Sequence, residues 1–332
     1  MAPSAKRAAA YAAAGVFSAA GVAFALAHEY SRRLRGAAEP EDPELAAPEG
    51  IVHRVLPMRD GGEAHLIESG QGPPLLLLHG ASLSAGVWSY QLRDLALAHR
   101  VIALDLRGHG SSTAGDEGVS ISAMASDVAE VLARLDLERV VLAGHSMGGM
   151  VCLRLARRHP ELLGTRVGAI ALIATSGGLG LPVPSWDRLA GAAGRVLGAG
   201  TGVLRRGRPA VPAGDAGYLA SRLGFGREPR ATQVAATLRM LRAVEPQVFA
   251  KVTGEVLGFE EKAPFGDLGV PVVVAVGSSD RLTPPVYARR LAAILERASL
   301  NEYAGAGHML MYERREEIDG LLDELSALTV AR

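Results

Sequence analysis

The chain has 332 residues, 48% of them apolar but only 5% aromatic, and 35 basic side chains balance 35 acidic ones. That length accommodates one large α/β domain or two smaller ones, packed on Ala, Leu and Val. Zero net charge removes any global basic field for nucleic acid, and a single cysteine, Cys152, excludes an intramolecular disulfide and a cysteine-cluster metal site.

Residues 8–27 carry no charged side chain, and Lys6-Arg7 and Arg32, Arg33 and Arg35 flank them. At about 1.5 Å per residue such a helix just crosses a bilayer. The expectation is a membrane protein with a single N-terminal anchor within 1–35. A cleaved signal peptide, with Ala25-Leu26-Ala27 as its small-x-small site, would give a secreted protein. A peripheral or soluble helix would leave the protein cytoplasmic. The basic residues balance on both sides, so they choose no topology. Residues 36–50 then read as a linker, with Pro40, Pro43 and Pro48 among Glu39, Glu41, Asp42, Glu44 and Glu49. Proline and mutual repulsion of the acids predict an extended, solvated stretch.

From Ile51 short β-rich runs alternate with helical patterns. Residues 51–56 and 63–68 predict a hairpin around Asp60-Gly61-Gly62. Leu75–Leu78 is a continuous apolar run, as a strand buried on both faces requires. Further strands are predicted at 101–104, 140–143, 167–174, 270–276 and 300–303, with helices at 122–135 and 147–159. Met124, Val128, Val131, Leu132 and Leu135 hold helical spacing in the first of these helices. The alternation predicts a mostly parallel, doubly wound sheet with ligands at the strand C-terminal ends.

The rhythm breaks over 176–262, which is too long for a plain loop and shows only helical patterns, one of them on Trp186, Leu189, Ala190, Ala193, Val196 and Leu197. It reads as a helical lid inserted between the core segments 51–175 and 263–332. From Asp187 to Arg242 it holds ten arginines against three acids, either a solvated face or a face turned to an anionic membrane surface.

Three familiar motifs are incomplete. Gly108-His109-Gly110 is followed by Thr113 where a dinucleotide fingerprint needs its third glycine. His28-Glu29 is followed by Arg32 where a zinc-protease helix needs its second histidine, and no phosphate-loop lysine pattern occurs. No cofactor or metal is expected.

Gly144-His145-Ser146-Met147-Gly148 lies between the apolar run 140–143 and a predicted helix. A sharp strand-to-helix turn there exposes a serine hydroxyl, the glycines remove clashing side chains, and the helix N-terminus offers unpaired N–H groups. In a chain with 40 glycines the pattern alone is weak; its setting carries the reading. A serine nucleophile needs a base, and the base needs an orienting acid. With the order Ser, acid, His, His159 follows Ser146 too closely, which leaves His308 in the small-residue loop Ala304-Gly305-Ala306-Gly307. Asp280 stands at the C-terminal tip of a buried strand, ahead of a helix starting at Pro284 or Pro285; the bland alternative is a turn or capping carboxylate. Asp267, ahead of that strand, is the runner-up. An oxyanion hole needs two convergent backbone N–H groups; Met147 supplies one, and Ala81, after His79-Gly80, supplies the other. Gly80 lets the loop pass close to substrate, and His79 reads as a loop-ordering residue ahead of a second base. Cys152 reads as a small core residue.

Together these residues resemble the α/β-hydrolase superfamily. The matching pieces are His79-Gly80-Ala81 with Trp88, Asp105 to Ser112, Gly144 to Gly149, Gly277-Ser278-Ser279-Asp280 and Gly307-His308, in order from about Val52 to Leu328. Within it the chain looks like the branch of carboxylesterases, monoacylglycerol-type lipases and cofactor-free haloperoxidases. Epoxide hydrolases and haloalkane dehalogenases place Asp where this chain has Ser146. The resemblance implies an eight-stranded sheet with a lid after strand 6, and a structural rather than catalytic role for 105–112. The expected activity is hydrolysis of a carboxylic ester, a hydrophobic small-molecule acyl ester or lipid-like substrate, by Ser146, His308 and Asp280 through an acyl-enzyme, with membrane association through 8–27. C–C bond hydrolysis, perhydrolysis or haloperoxidation on the same triad is the alternative, and a non-catalytic interaction module the minor one.

Overall fold

The computed structural model describes residues 42–46, 48–178, 211, 213–261 and 265–330. An eight-stranded sheet organises it: β1 (Val52–Pro57), β2 (Glu63–Ser69), β3 (Pro74–Leu78), β4 (Arg100–Leu104), β5 (Val140–His145), β6 (Val167–Ile173), β7 (Val272–Gly277) and β8 (Ser299–Tyr303). Their order is β1-β2-β4-β3-β5-β6-β7-β8. β2 runs antiparallel to β1 and β4, and every pairing from β4 to β8 is parallel. This is the α/β-hydrolase fold.

Helices α1 (Ser89–Asp94), α2 (Ile121–Arg134), α3 (Met147–Arg158), α4 (Gly214–Arg222), α5 (Ala231–Ala243), α6 (Pro246–Gly258), α7 (Pro285–Ile294), α8 (Leu310–Glu313) and α9 (Arg315–Val330) surround it. The strand period of two splits the core. Leu76, Leu78, Ile102, Leu142 and Val274 face Met124, Val128, Val151 and Leu291 of α2, α3 and α7. Leu75, Leu77, Val101, Val141 and Ile173 face Leu92, Ile318 and Leu322 of α1 and α9. In β3 to β7 both faces are covered, so these strands read as unbroken apolar runs.

Local signals fix the element ends. The Ser120 hydroxyl caps α2 by accepting from Ala123 N at 3.1 Å. Pro285 opens α7, where a missing N–H costs nothing. Helices α4 to α6 occupy the insertion between β6 and β7; the helical pattern at 186–197 lies outside the described residues. Lid arginines are partly spent internally. Arg222 donates to the carbonyls of Phe225 and Arg227, and Arg230 pairs with Asp42 at 3.4 Å.

Two acids of the acidic stretch bond to the core. Asp42 accepts from the Tyr90 hydroxyl at 2.8 Å, and Glu44 takes a bond of 2.7 Å from Arg315. The membrane anchor is corrected. Among the described residues no helix is long and apolar enough to cross a membrane, and residues 8–27, where the anchor was expected, lie outside them. The transmembrane helix, the membrane association and the anchored location are therefore withdrawn.

Candidate active site

β5 ends at His145 and α3 begins at Met147, so Ser146 alone makes the turn. Its backbone has φ +53° and ψ −115°, a conformation that costs an L-residue about 1–3 kcal/mol. The surroundings hold it there. Ser146 N donates to Ile173 O of β6 at 2.8 Å, while Ser146 O accepts from the Thr175 hydroxyl at 2.7 Å and from Gly149 N at 3.0 Å. The glycines are steric necessities: a Cβ on Gly144 would overlap the Gly148 carbonyl, and one on Gly148 would overlap Leu78 O.

The loop after β3 passes directly over this turn. A Cβ on Gly80 would lie 2.8 Å from His145 Nδ1 and 3.1 Å from Ser146 Cβ. Ala81 follows, and α3 starts without a side-chain cap at Ser146. Among the described residues neither the Ala81 nor the Met147 N–H has a hydrogen-bond partner. The free Met147 amide at the N-terminus of α3 favours a negative charge placed beside it.

His79 orders this loop. Its Nδ1 donates to Gly80 O at 2.7 Å and its Nε2 accepts from Leu106 N at 2.9 Å, so neither nitrogen is free to act as a base. Complete burial keeps its pKa below the ordinary histidine value. Asp105 ties the next loop to the same place. Its carboxylate accepts from Ala85 N at 2.6 Å, Ser111 N at 2.9 Å and the His65 ring at 2.8 Å. Cys152 is a buried core side chain, its thiol pKa pushed up by burial.

His308 and Asp280 meet across the C-terminal ends of β7 and β8. Asp280 Oδ2 accepts from His308 Nδ1 at 2.8 Å, with the carboxylate wholly buried and the imidazole nearly so. That bond places the imidazole proton on Nδ1 and leaves Nε2 as the basic atom. Asp280 Oδ1 accepts from Leu282 N at 2.8 Å and Thr283 N at 2.9 Å. Burial pushes the carboxyl pKa up, but the His308 imidazole and the Thr283 donors outweigh it and hold Asp280 below the ordinary value. Asp267 sits elsewhere, ahead of β7, paired with Arg297 at 3.1 Å.

Three further residues at this junction carry no motif of their own. The Thr283 hydroxyl lies 2.8 Å from Asp280 Oδ2, 2.9 Å from Ala174 O and 3.2 Å from His308 Nδ1. His145 Nε2 bonds the His308 carbonyl at 3.0 Å. Glu313 accepts from Gly307 N at 3.0 Å. Thr283 had a faint sequence signal, an acid three residues ahead of it at a strand tip. His145 occupies the freely variable position of the elbow motif.

A cavity of about 300 Å³ joins these groups. Ser146, His308, Gly80 and Ala81 line it together with Leu241, Val256 and Leu257 of α5 and α6. Among the described residues no group of three or more His, Cys, Asp or Glu side chains is placed to hold a metal ion.

The chain belongs to the alpha/beta hydrolase fold family, which it matches over residues 73–315. It is 27% identical over 263 residues to the AB hydrolase superfamily protein YisY of Bacillus subtilis, covering 77% of this chain and 92% of that one. It is 32% identical over 240 residues to a Mycobacterium phage D29 protein whose name assigns it provisionally to the non-heme haloperoxidases, covering 70% and 81%. Among solved structures it resembles Est816, described as an N-acyl homoserine lactone degrading enzyme, at 27% identity and a TM-score of 0.62, covering 82% of this chain and 99% of that one. The protein is a hydrolase of this family.

Proposed function

We propose that the protein hydrolyses a small hydrophobic carboxylic ester through an acyl-enzyme. Ser146 Oγ attacks the acyl carbon while His308 Nε2 takes its proton. Asp280 keeps the imidazole oriented and stabilises the imidazolium. The Ala81 and Met147 amides receive the tetrahedral oxyanion. The imidazolium returns its proton to the leaving alcohol, and His308 then activates a water that releases the acid. Residues 176–262 act as the lid on the core of 51–175 and 263–332.

The observation that carries this reading is the bond of 2.8 Å between His308 Nδ1 and Asp280 Oδ2, beside a cavity that also opens on the strained Ser146. The apolar wall of Leu83, Met150, Leu241 and Leu257 favours a hydrophobic acyl or alcohol group. A volume of about 300 Å³ is at the small end for ligand sites, which favours short and medium chains. A lactone is a cyclic carboxylic ester, so the named substrate class of Est816 fits the same chemistry.

The test is Ser146→Ala in the full chain. Hydrolysis across a chain-length series of p-nitrophenyl esters, and labelling by a fluorophosphonate, should both vanish while the fold survives. Turnover that persists in this variant refutes the assignment. The phage relative's name favours a second reading on the same three residues, in which hydrogen peroxide instead of water attacks the acyl-enzyme and releases a peracid. Peracid formation at fixed ester and rising peroxide separates the two.

A further inference from the structure

The inserted helices and the loop of His308 meet as bare backbone. His308 N donates to Gly224 O at 2.8 Å, and Arg227 N donates to Gly305 O at 3.2 Å. No Cβ fits at the two facing glycines. A Cβ on Gly307 would overlap Gly226 N and the Phe225 carbonyl carbon, and one on Gly226 would overlap Gly305 O. Phe225 is fully buried at the same joint. Glycine on both sides is therefore a condition of this contact, not a sign of looseness.

One carboxylate spans the joint. Glu313, the last residue of α8, accepts from Gly307 N through Oε1 at 3.0 Å and from Gly226 N through Oε2 at 2.6 Å. One oxygen thus holds the residue before His308, and the other holds the turn that follows α4. That turn and its helix also wall the cavity, through Ala220, Ser221 and Gly224. Only a carboxylate offers two acceptors to two backbone donors; an amide would set its own NH₂ against one of them.

We propose that Glu313 is a positioning residue for the reaction. It couples the helices that roof the substrate cavity to the loop that carries the base, so that seating the roof and seating the imidazole against Asp280 are one event. Glu313 touches neither substrate nor the reacting atoms. The proposal rests on the reading of His308 as base. It adds that the segment after α4 is part of the catalytic scaffold and not a freely swinging flap.

The test compares wild type, Glu313→Gln and Glu313→Asp as full chains, with Ser146→Ala as control. The amide keeps size and breaks one arm; the aspartate keeps charge and reaches only one arm. The readouts are kcat and KM taken separately on a short and a longer p-nitrophenyl ester, the thermal midpoint, and the low-field proton resonance of His308 Nδ1–H. Glu313→Gln should lower kcat by about 10- to 100-fold, the penalty expected of a displaced catalytic group. KM should rise most for the longer ester, and the low-field resonance should shift or broaden. Glu313→Asp should recover part of the lost kcat. A Glu313→Gln protein with native kcat, KM and resonance, whatever its thermal midpoint, overturns the proposal. If Glu313→Gln does not fold, Glu313→Asp decides by the same readouts. If wild type shows no ester hydrolysis that Ser146→Ala removes, the reading of the active site has failed. The resonance then judges the coupling alone: unchanged in Glu313→Gln it overturns the proposal, and shifted or broadened it supports it.

Discussion

His145 Nε2 donates to the carbonyl oxygen of His308 at 3.0 Å, and the two rings lie tilted with centroids 4.8 Å apart. A carbonyl only accepts, so the proton must sit on Nε2, and Nδ1 is left without a partner. Complete burial and the neighbouring His308 keep the His145 pKa well below the ordinary histidine value. The residue in front of the candidate nucleophile thus holds the backbone of the candidate base, as a neutral donor. His145→Phe keeps the ring volume and removes the donor. The orphaned buried carbonyl should cost about 1–3 kcal/mol of stability, and kcat on a p-nitrophenyl ester should fall about tenfold with KM little changed. Thermal melts and steady-state kinetics check both halves; native kcat in a folded variant would remove His145 from the positioning of the base.

Strain at Ser146 gives a second expectation, in which activity and stability part ways. Its φ of +53° with ψ of −115° suits glycine far better than any side chain. Relief of about 1–3 kcal/mol of strain opposes an entropic penalty for glycine of about 0.5–1 kcal/mol. Ser146→Gly should therefore be more stable than Ser146→Ala, by up to about 2.5 kcal/mol, and both should lack hydrolysis. Denaturant midpoints of the two variants measure the difference, and an alanine variant that matches or exceeds glycine would show that the turn is unstrained.

Asp280→Asn addresses the candidate orienting acid. The amide oxygen still accepts from Leu282 N and Thr283 N, at 2.8 and 2.9 Å in the native site, so the turn should persist. The amide nitrogen, however, faces His308 Nδ1 and drives the ring proton toward Nε2. A base with the wrong tautomer should lose about 10³- to 10⁴-fold in kcat. Kinetics with circular dichroism on the same sample test this, and a loss under tenfold in a folded protein would assign the acid elsewhere.

The central strands were legible in the sequence because they are buried on both faces. The run at 75–78 lies within β3, and that at 101–104 within β4. The elbow was legible because strand, glycine, serine and helix follow one another within a few residues. Sheet order was not, since it is set by pairings such as Leu76↔Leu142 between distant segments. Glu313 and His145 escaped for the same reason. The Gly226–Glu313 bond closes across 87 residues and the His145–His308 bond across 163, and no local pattern encodes either. Residues 8–27 mark the opposite failure. An uncharged length of chain suggested a spanning helix, yet it is mostly alanine, and composition alone does not place a segment in a bilayer.

The buried histidines set the response to acid. His79 and His145 have pKa values held down by burial, and burial with the neighbouring His79 pushes His109 to about 3. In the folded protein burial favours the neutral form of all three, while in the unfolded chain each titrates near 6.5. Below that value the unfolded state binds more protons, so stability is complete above about pH 6.5 and falls as pH drops. Each histidine contributes a slope of at most about 1.4 kcal/mol per pH unit. Asp280 acts in a lower window: its depressed folded pKa contributes stability above about pH 4 that is lost only as pH falls further. His109→Gln isolates one of the three. Its amide oxygen can take the Ser82 N–H that His109 Nε2 now accepts at 3.2 Å, and its NH₂ can reach the Arg107 carbonyl. Urea unfolding between pH 7 and 5 should then show a shallower pH slope than wild type. An unchanged slope would mean that His109 takes up its proton without unfolding, and that the loop it holds opens locally instead.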